Sequence, residues 1–236
     1  MSVMGLFFIL IFSVALSWLW RQGVMQSPWL EEGEVAALRG RASAPPPSAA
    51  KVGLVVFLAV AGCLFSLMTA AYFMRQASPD WQAPPMPGVL WLNTIALMAS
   101  SVTIQTAARA ASSGARDRLR TQLAASGLLS LAFLVGQLWA WRELVEAGAY
   151  VSGNPASSFF YLLTATHGLH LVGGLAALAR VAAKAWEDER PAPALAGSVE
   201  LCAIYWHFLL FVWLLLFIVF SGKADAFGVI CRRVLS

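Results

Sequence analysis

The chain has 236 residues, of which 59% are hydrophobic and 12% charged, with a mean hydropathy of +0.71 and a net charge of +4. A water-soluble globule of this length cannot hide so much apolar surface, so a bilayer must supply the burial. The basic excess does not point to nucleic acid, because the Lys and Arg residues sit in short stretches beside apolar runs with no aromatic stacking platform between them.

A membrane-spanning helix needs about 20 mostly apolar residues. Six segments meet or approach that length: 3–20, 52–74, 89–108, 121–141, 156–183 and 198–221. All are expected to be helices, since lipid leaves every backbone amide to find its partner within its own segment. The expected class is therefore an all-α integral membrane protein with six transmembrane helices.

The first of these segments has no basic residue before its apolar run and ends in Trp18 and Trp20 rather than in small residues suited to cleavage. Residues 1–21 are accordingly expected to be a retained anchor and not a secretion signal. Residues 22–51 form a linker. In SPWLEEGEVAALRG, Ser27 suits the N-cap, Pro28 the first helical position and Gly40 the end, which predicts a short interfacial helix. RASAPPPSAA predicts an extended, semi-rigid path. Residues 52–222 make a five-helix body and 223–236 a short tail. No internal repeat of the kind found in many transporters is present.

Basic residues give the expected orientation. With the N-terminus outside, Arg21, Arg39, Arg41, Lys51, Arg109, Arg116, Arg118, Arg120, Arg180, Lys184 and Arg190 are all cytoplasmic, which is 11 of the 16 Lys and Arg. Arg75, Arg142, Lys223, Arg232 and Arg233 lie outside, and both termini are periplasmic. Cys63 and Cys202 fall in spans and Cys231 in the tail, with no C-x-x-C spacing, so they read as small packing residues.

Polar residues inside spans are expensive in hydrocarbon unless they face protein, water or a lipid headgroup. The 89–108 segment holds Asn93, Ser100, Ser101, Thr103 and Gln105; the next holds Gln137; the 156–183 segment holds Thr164, Thr166, His167 and His170; the last holds Glu200, Tyr205 and His207. His167, His170 and Gly174 share one helical face, and Gly173 with Ala177 forms a small-xxx-small pair suited to close helix packing. Glu200 and His207, seven apart, share a face with Ile204 and Phe211. These two polar faces are expected to meet, letting Glu200 or a hydroxyl satisfy an imidazole.

Three histidines raise the question of haem. His167 and His170 on one face cannot ligate a single haem together, whereas either can be paired with His207. A metal centre wants three or four ligands, and Glu200 is the one nearby carboxylate. Hydrogen bonding within the bundle is the preferred reading. No nucleophile with its base, no phosphate-binding Gly-rich loop and no pair of inward carboxylates is present. The residues alone describe a scaffold.

The order of motifs adds a resemblance. YLLTATHGLHLVGGL at 161–175 carries a His-Gly-x-His signature, and Glu200 with Tyr205, Trp206, His207 and Phe208 follows in the last segment. LWLNTIALMASSVT at 90–103, FSLMTAAYFMR at 65–75 and GQLWAW at 136–141 occupy the remaining places. Together these resemble subunit III of the haem-copper terminal oxidases over about residues 52–222.

The resemblance implies a non-catalytic subunit of a bacterial inner-membrane cytochrome c oxidase, which reduces dioxygen to water and pumps protons. Haems and copper would lie in subunits I and II, and this chain would bind no cofactor of its own. It would brace subunit I, hold phospholipid and support proton uptake, with a small subunit IV or a supercomplex partner as further neighbours. Lys184 is positioned like a basic family residue that meets a lipid headgroup. His207, Glu200, His167, His170, Tyr205, Trp206, Asn93 and Gln137 are the other lipid-binding or structural polar candidates.

Three carboxylates common in the family are absent. The 52–74 segment has no acid, with Ala61 near the expected place; Leu210 stands where many members have Asp, and Ala140 where a Glu often follows the Gln. Properties ascribed to those acids do not carry over. Three other readings use the same residues: a quinol oxidase subunit III, an accessory subunit of a nitric oxide reductase, and a haem b electron-transfer anchor built on a histidine pair such as His170 and His207.

Overall fold

The computed structural model describes residues 49–76, 78–187 and 191–221. They form five helices: α1 (Ala49–Gln76), α2 (Val89–Ser112), α3 (Arg116–Glu146), α4 (Pro155–Trp186) and α5 (Ala192–Phe220). Each is long and apolar enough to cross a membrane. The expected anchor at 3–20, the interfacial helix of the linker and the tail at 223–236 lie outside the described residues.

The helices overrun the apolar segments that announce them. Residues 121–141 mark the third of the five by hydropathy, yet α3 begins at Arg116 and ends at Glu146. Its 31 residues span about 46 Å at 1.5 Å each, against about 30 Å of hydrocarbon. The extra turns carry Arg116, Asp117, Arg118 and Arg120 at one end and Arg142, Glu143 and Glu146 at the other, where water and headgroups solvate charge.

Short local devices stop and restart the chain. After α3, Gly148 adopts φ 80°, while its N–H donates to Val145 O at 3.0 Å and that of Ala149 to Leu144 O at 2.9 Å. Gly114 repeats the arrangement after α2 with φ 76°. A left-handed residue in that position closes the last carbonyls of a helix, and glycine adopts it without strain. At the start of α4, Asn154 Oδ1 accepts from the Ala156 N–H at 2.9 Å and Pro155 follows the cap.

The C-terminus of α4 is closed from another helix. Arg116 donates to Glu187 O at 2.6 Å, and Arg120 donates to Ala185 O at 2.9 Å and Trp186 O at 3.1 Å. The α2–α3 turn and the end of α4 therefore lie side by side, which collects Arg116, Arg120, Arg180 and Lys184 at one end of the bundle. At the opposite end, Asn154 Nδ2 donates to Gln82 O, and Arg75 pairs with Asp80 at 2.6 Å.

The chain divides into two compact units, Met1–Ala61 and Gly62–Ser236. In the first, the described residues are the first half of α1, where Val55, Leu58 and Ala61 are buried. In the second, α2 packs most extensively on α3 and then on α5, and α4 packs on both α5 and α3. Phe65 and Tyr72 from the second half of α1 join Leu163 of α4 and Val212, Leu216 and Val219 of α5 in one apolar cluster. Trp206, Trp213 and Phe133 are the largest fully buried side chains. Large apolar residues also point outward, as Leu128, Val135 and Leu138 of α3 and Leu162, Leu169 and Val172 of α4 do.

Candidate functional site

Buried side-chain polarity lies mainly along the seams between helices. Ser100 of α2 faces Ser126 and Ser130 of α3, which are one helical turn apart. Ser100 Oγ donates to Ser126 O at 2.9 Å, Ser126 Oγ returns a bond to Ser100 O at 3.2 Å, and Ser130 Oγ donates to Ser126 O at 2.9 Å. The small serines bring the two backbones close, as small residues do between membrane helices. From α5, the Trp206 indole N–H then donates to Ser100 Oγ at 2.9 Å and Ser130 Oγ at 3.0 Å. Three helices are thereby tied at one buried point.

Two turns along α5, Trp213 repeats the device by donating to Thr94 Oγ1 of α2 at 3.0 Å. Asn93, beside Thr94, lies against Gly136 of α3 so closely that a Cβ there would collide with the Asn93 amide. Asn93 Nδ2 reaches Gln137 Oε1 at 3.5 Å, a long contact, and both residues are buried. Trp141, one turn beyond Gln137, donates to Thr164 Oγ1 of α4 at 3.0 Å.

The signature histidines of α4 face α5 in different ways. His167 is fully buried among Phe65, Phe133 and Trp213, with ring centroids at 6.4, 5.5 and 5.3 Å. Its Nε2 lies 3.1 Å from Leu209 O. A carbonyl only accepts, so Nε2 carries the proton and Nδ1 is left as an acceptor; among the described residues neither it nor Gln137 Nε2 has a partner. His170 is half-buried, with Nδ1 at 2.8 Å from Thr166 O and its ring against Phe65 at 5.4 Å. Tyr205 OH donates to the His170 carbonyl at 2.8 Å, and the same tyrosine ring lies on Gly174.

The expectation that the His167–His170 face meets the Glu200–His207 face is corrected. His207 turns to α2, with Nδ1 at 2.5 Å from Ser101 Oγ and Nε2 at 2.9 Å from Gln105 Oε1. It turns because α5 lies against both α2 and α4, and His207 is two positions round the helix from Tyr205, which faces α4. Both of its ring nitrogens are engaged, which leaves none for a haem shared with His170. Glu200 is exposed on α5. Gly173 and Ala177 are both exposed within this chain, and Gly174 is the small residue that admits α5.

Lys184 is exposed in the last turn of α4, beside the Arg116 and Arg120 caps and half-exposed Trp186. Among the described residues, no three His, Cys, Asp or Glu side chains converge as a metal site. Ser126, Ser130 and Trp213 were not singled out from the sequence. Their signal was the i, i+4 serine spacing and the seven-residue step from Trp206 to Trp213, which places both indoles on one face.

Comparison with known proteins matches the chain to a family. The model of cytochrome c oxidase subunit III matches residues 2–222. The chain belongs to the cytochrome c oxidase subunit III family. It is 35% identical over 179 residues to "Probable cytochrome c oxidase subunit 3" of Mycobacterium tuberculosis, covering 73% of this chain and 87% of that one. Identity is 31% over 192 residues with cytochrome c oxidase subunit 3 of Corynebacterium diphtheriae, covering 78% and 93%. With the Synechocystis protein of that name it is 31% over 185 residues, covering 73% and 75%.

A multi-pass membrane subunit of an oxidoreductase complex is thus the class of this protein. The relatives' names favour the cytochrome c oxidase reading over the quinol oxidase, nitric oxide reductase and haem-anchor readings. Within the subunit III frame, the missing family carboxylates fall on apolar positions, with Ala61 and Ala140 both buried and Leu210 half-buried.

Proposed function

We propose that this chain is a non-catalytic subunit III of a proton-pumping cytochrome c oxidase in a bacterial inner membrane. It braces the subunits that carry haem and copper, subunits I and II, and prolongs their working life. The observation that carries the reading is the use made of buried polarity: Trp206, Trp213, Trp141, Tyr205 and His167 all spend their polar hydrogens on a neighbouring helix. A chain that spends these polar hydrogens on tying its own helices together is built for shape and rigidity.

Phospholipid is the expected ligand. Lys184 and Arg180, one turn apart on α4, offer two cations at the helix end where Trp186 sits as an interfacial aromatic. The basic end of the bundle faces the cytoplasm in this reading. Supply of protons to the catalytic subunits is assisted by holding that face in order.

The test is to purify the oxidase with and without this chain and follow oxygen consumption over many turnovers. The depleted enzyme is expected to keep its haem spectrum and initial rate but to lose activity several-fold sooner. An unchanged turnover lifetime on depletion would overturn the bracing role, and a haem spectrum from this chain purified by itself would place a cofactor in it.

A further inference from the structure

Two buried polar atoms are left over from the hydrogen bonds between the helices, and they are complementary. Among the described residues, Gln137 Nε2 is a donor that meets no acceptor, and His167 Nδ1 is an acceptor that meets no donor. Gln137 is 3% exposed and His167 fully buried, so neither an acyl chain nor a partner subunit reaches them. Such atoms are costly to leave unpaired in a low-dielectric interior, and native proteins leave few.

The contacts around them place both at one junction. Phe133, Gln137 and Trp141 follow one another at four-residue steps on one stripe of α3. Both flanking members of the stripe touch α4: the Phe133 ring lies 5.5 Å from that of His167, and the Trp141 N–H donates to Thr164 Oγ1 at 3.0 Å. Thr164 and His167, three residues apart, share a face of α4. Gln137 therefore stands opposite these two side chains. The Trp213 ring of α5 closes the junction, 4.7 Å from Phe133 and 5.3 Å from His167. Gln137 Oε1 is turned to Asn93 of α2, which leaves the Nε2 arm of the amide for α4.

The leftover atoms fix the class of ligand. It must accept from an amide N–H and donate to an imidazole nitrogen, which a carbonyl, a carboxylate or a metal cation does not do. A water molecule does both, and a buried one makes about three hydrogen bonds. Thr164 Oγ1 offers the third. It donates to Phe160 O at 2.7 Å and accepts from Trp141, so one of its two lone pairs remains for a second water O–H.

We infer that the seam between α3 and α4 holds an internal water molecule, bound by Gln137 Nε2, His167 Nδ1 and Thr164 Oγ1. The inference stands apart from the proposed function and assigns a binding site inside the bundle. By donating to Nδ1, the water holds the His167 proton on Nε2, where it serves the bond to Leu209 O at 3.1 Å that ties α4 to α5. Gln137 is then a positioning residue: it orients the water that sets the tautomer of His167.

The experiment is cryo-electron microscopy of this chain with its native companion subunits, at a resolution that shows ordered water. A density peak about 2.7–3.2 Å from both Gln137 Nε2 and His167 Nδ1 is expected. A direct bond between the two side chains, or both side chains resolved with no peak between them, would overturn the site. In the Gln137→Met variant the peak is expected to disappear and the thermal midpoint to fall, because the water loses its donor. A peak that persists in that variant would overturn the assignment. The map of the unmodified complex decides the site whether or not the variant assembles.

Discussion

Trp206 of α5 and Ser100 of α2 are joined by an indole N–H that donates to Ser100 Oγ at 2.9 Å, with both side chains fully buried. The same N–H is shared with Ser130 of α3 at 3.0 Å, so one donor registers three helices. Trp206→Phe keeps most of the ring and removes that donor. The expected cost is about 1–2 kcal/mol, the range for a buried hydrogen bond between membrane helices. Thermal unfolding of the purified complex reads it, and an unchanged midpoint would contradict the tie.

Trp213 and Thr94 offer a cleaner measure, since they form one bond at 3.0 Å. A double-mutant cycle with Trp213→Phe and Thr94→Val isolates the pair from the packing lost in each variant. A coupling of about 0.6 kcal/mol, with about 1.7 as an upper bound, is expected for such a pair in a membrane protein. Strict additivity would show that the bond contributes nothing.

Gly174 has no room for a side chain. A Cβ there would lie 2.6 Å from Tyr205 Cε1 and 3.3 Å from Trp206 Cζ3. Gly174→Leu should push α4 off α5, break the bond from Tyr205 OH to the His170 carbonyl, and cost about 1–3 kcal/mol of packing. The readouts are the yield of this chain in the purified complex and the lifetime of the complex in turnover. Gly173→Leu, at an exposed position with nothing within 4 Å of its Cβ, is the control expected to leave the α4–α5 packing intact.

Arg120 closes the end of α4 by bonds to Ala185 O and Trp186 O. Arg120→Ala removes a cation and two donors from that terminus, an effect of about 0.3–1 kcal/mol in a partly exposed setting. Hydrogen exchange is expected to quicken several-fold at residues 183–187 and to stay unchanged at 165–170, in the middle of the same helix. Uniform exchange across α4 would contradict the capping role.

The spans were legible in the sequence because hydropathy reports burial in lipid directly, and α2 to α5 follow the apolar segments 89–108, 121–141, 156–183 and 198–221. Their ends were not, because charged turns of α3 at Arg116 and Glu146 are helical without being apolar. Among the site residues, Asn93, Gln137, His167, Tyr205 and Trp206 all fall on helix contacts, as polar groups in hydrocarbon should. Their partners were hidden, since helix periodicity gives a face but not the neighbour it meets. His207 illustrates the loss: the seven-residue step to Glu200 is real, yet the ring turns to Ser101 and Gln105.

The most direct test of the central claim is to capture this chain by an affinity tag from its native membrane in mild detergent and identify the companion polypeptides by mass spectrometry. Recovery of a large His-rich oxidase subunit I together with a copper-binding subunit II is expected, at yields close to one copy of each. Recovery of a nitric oxide reductase or a haem dehydrogenase in their place, or of this chain by itself, would contradict it.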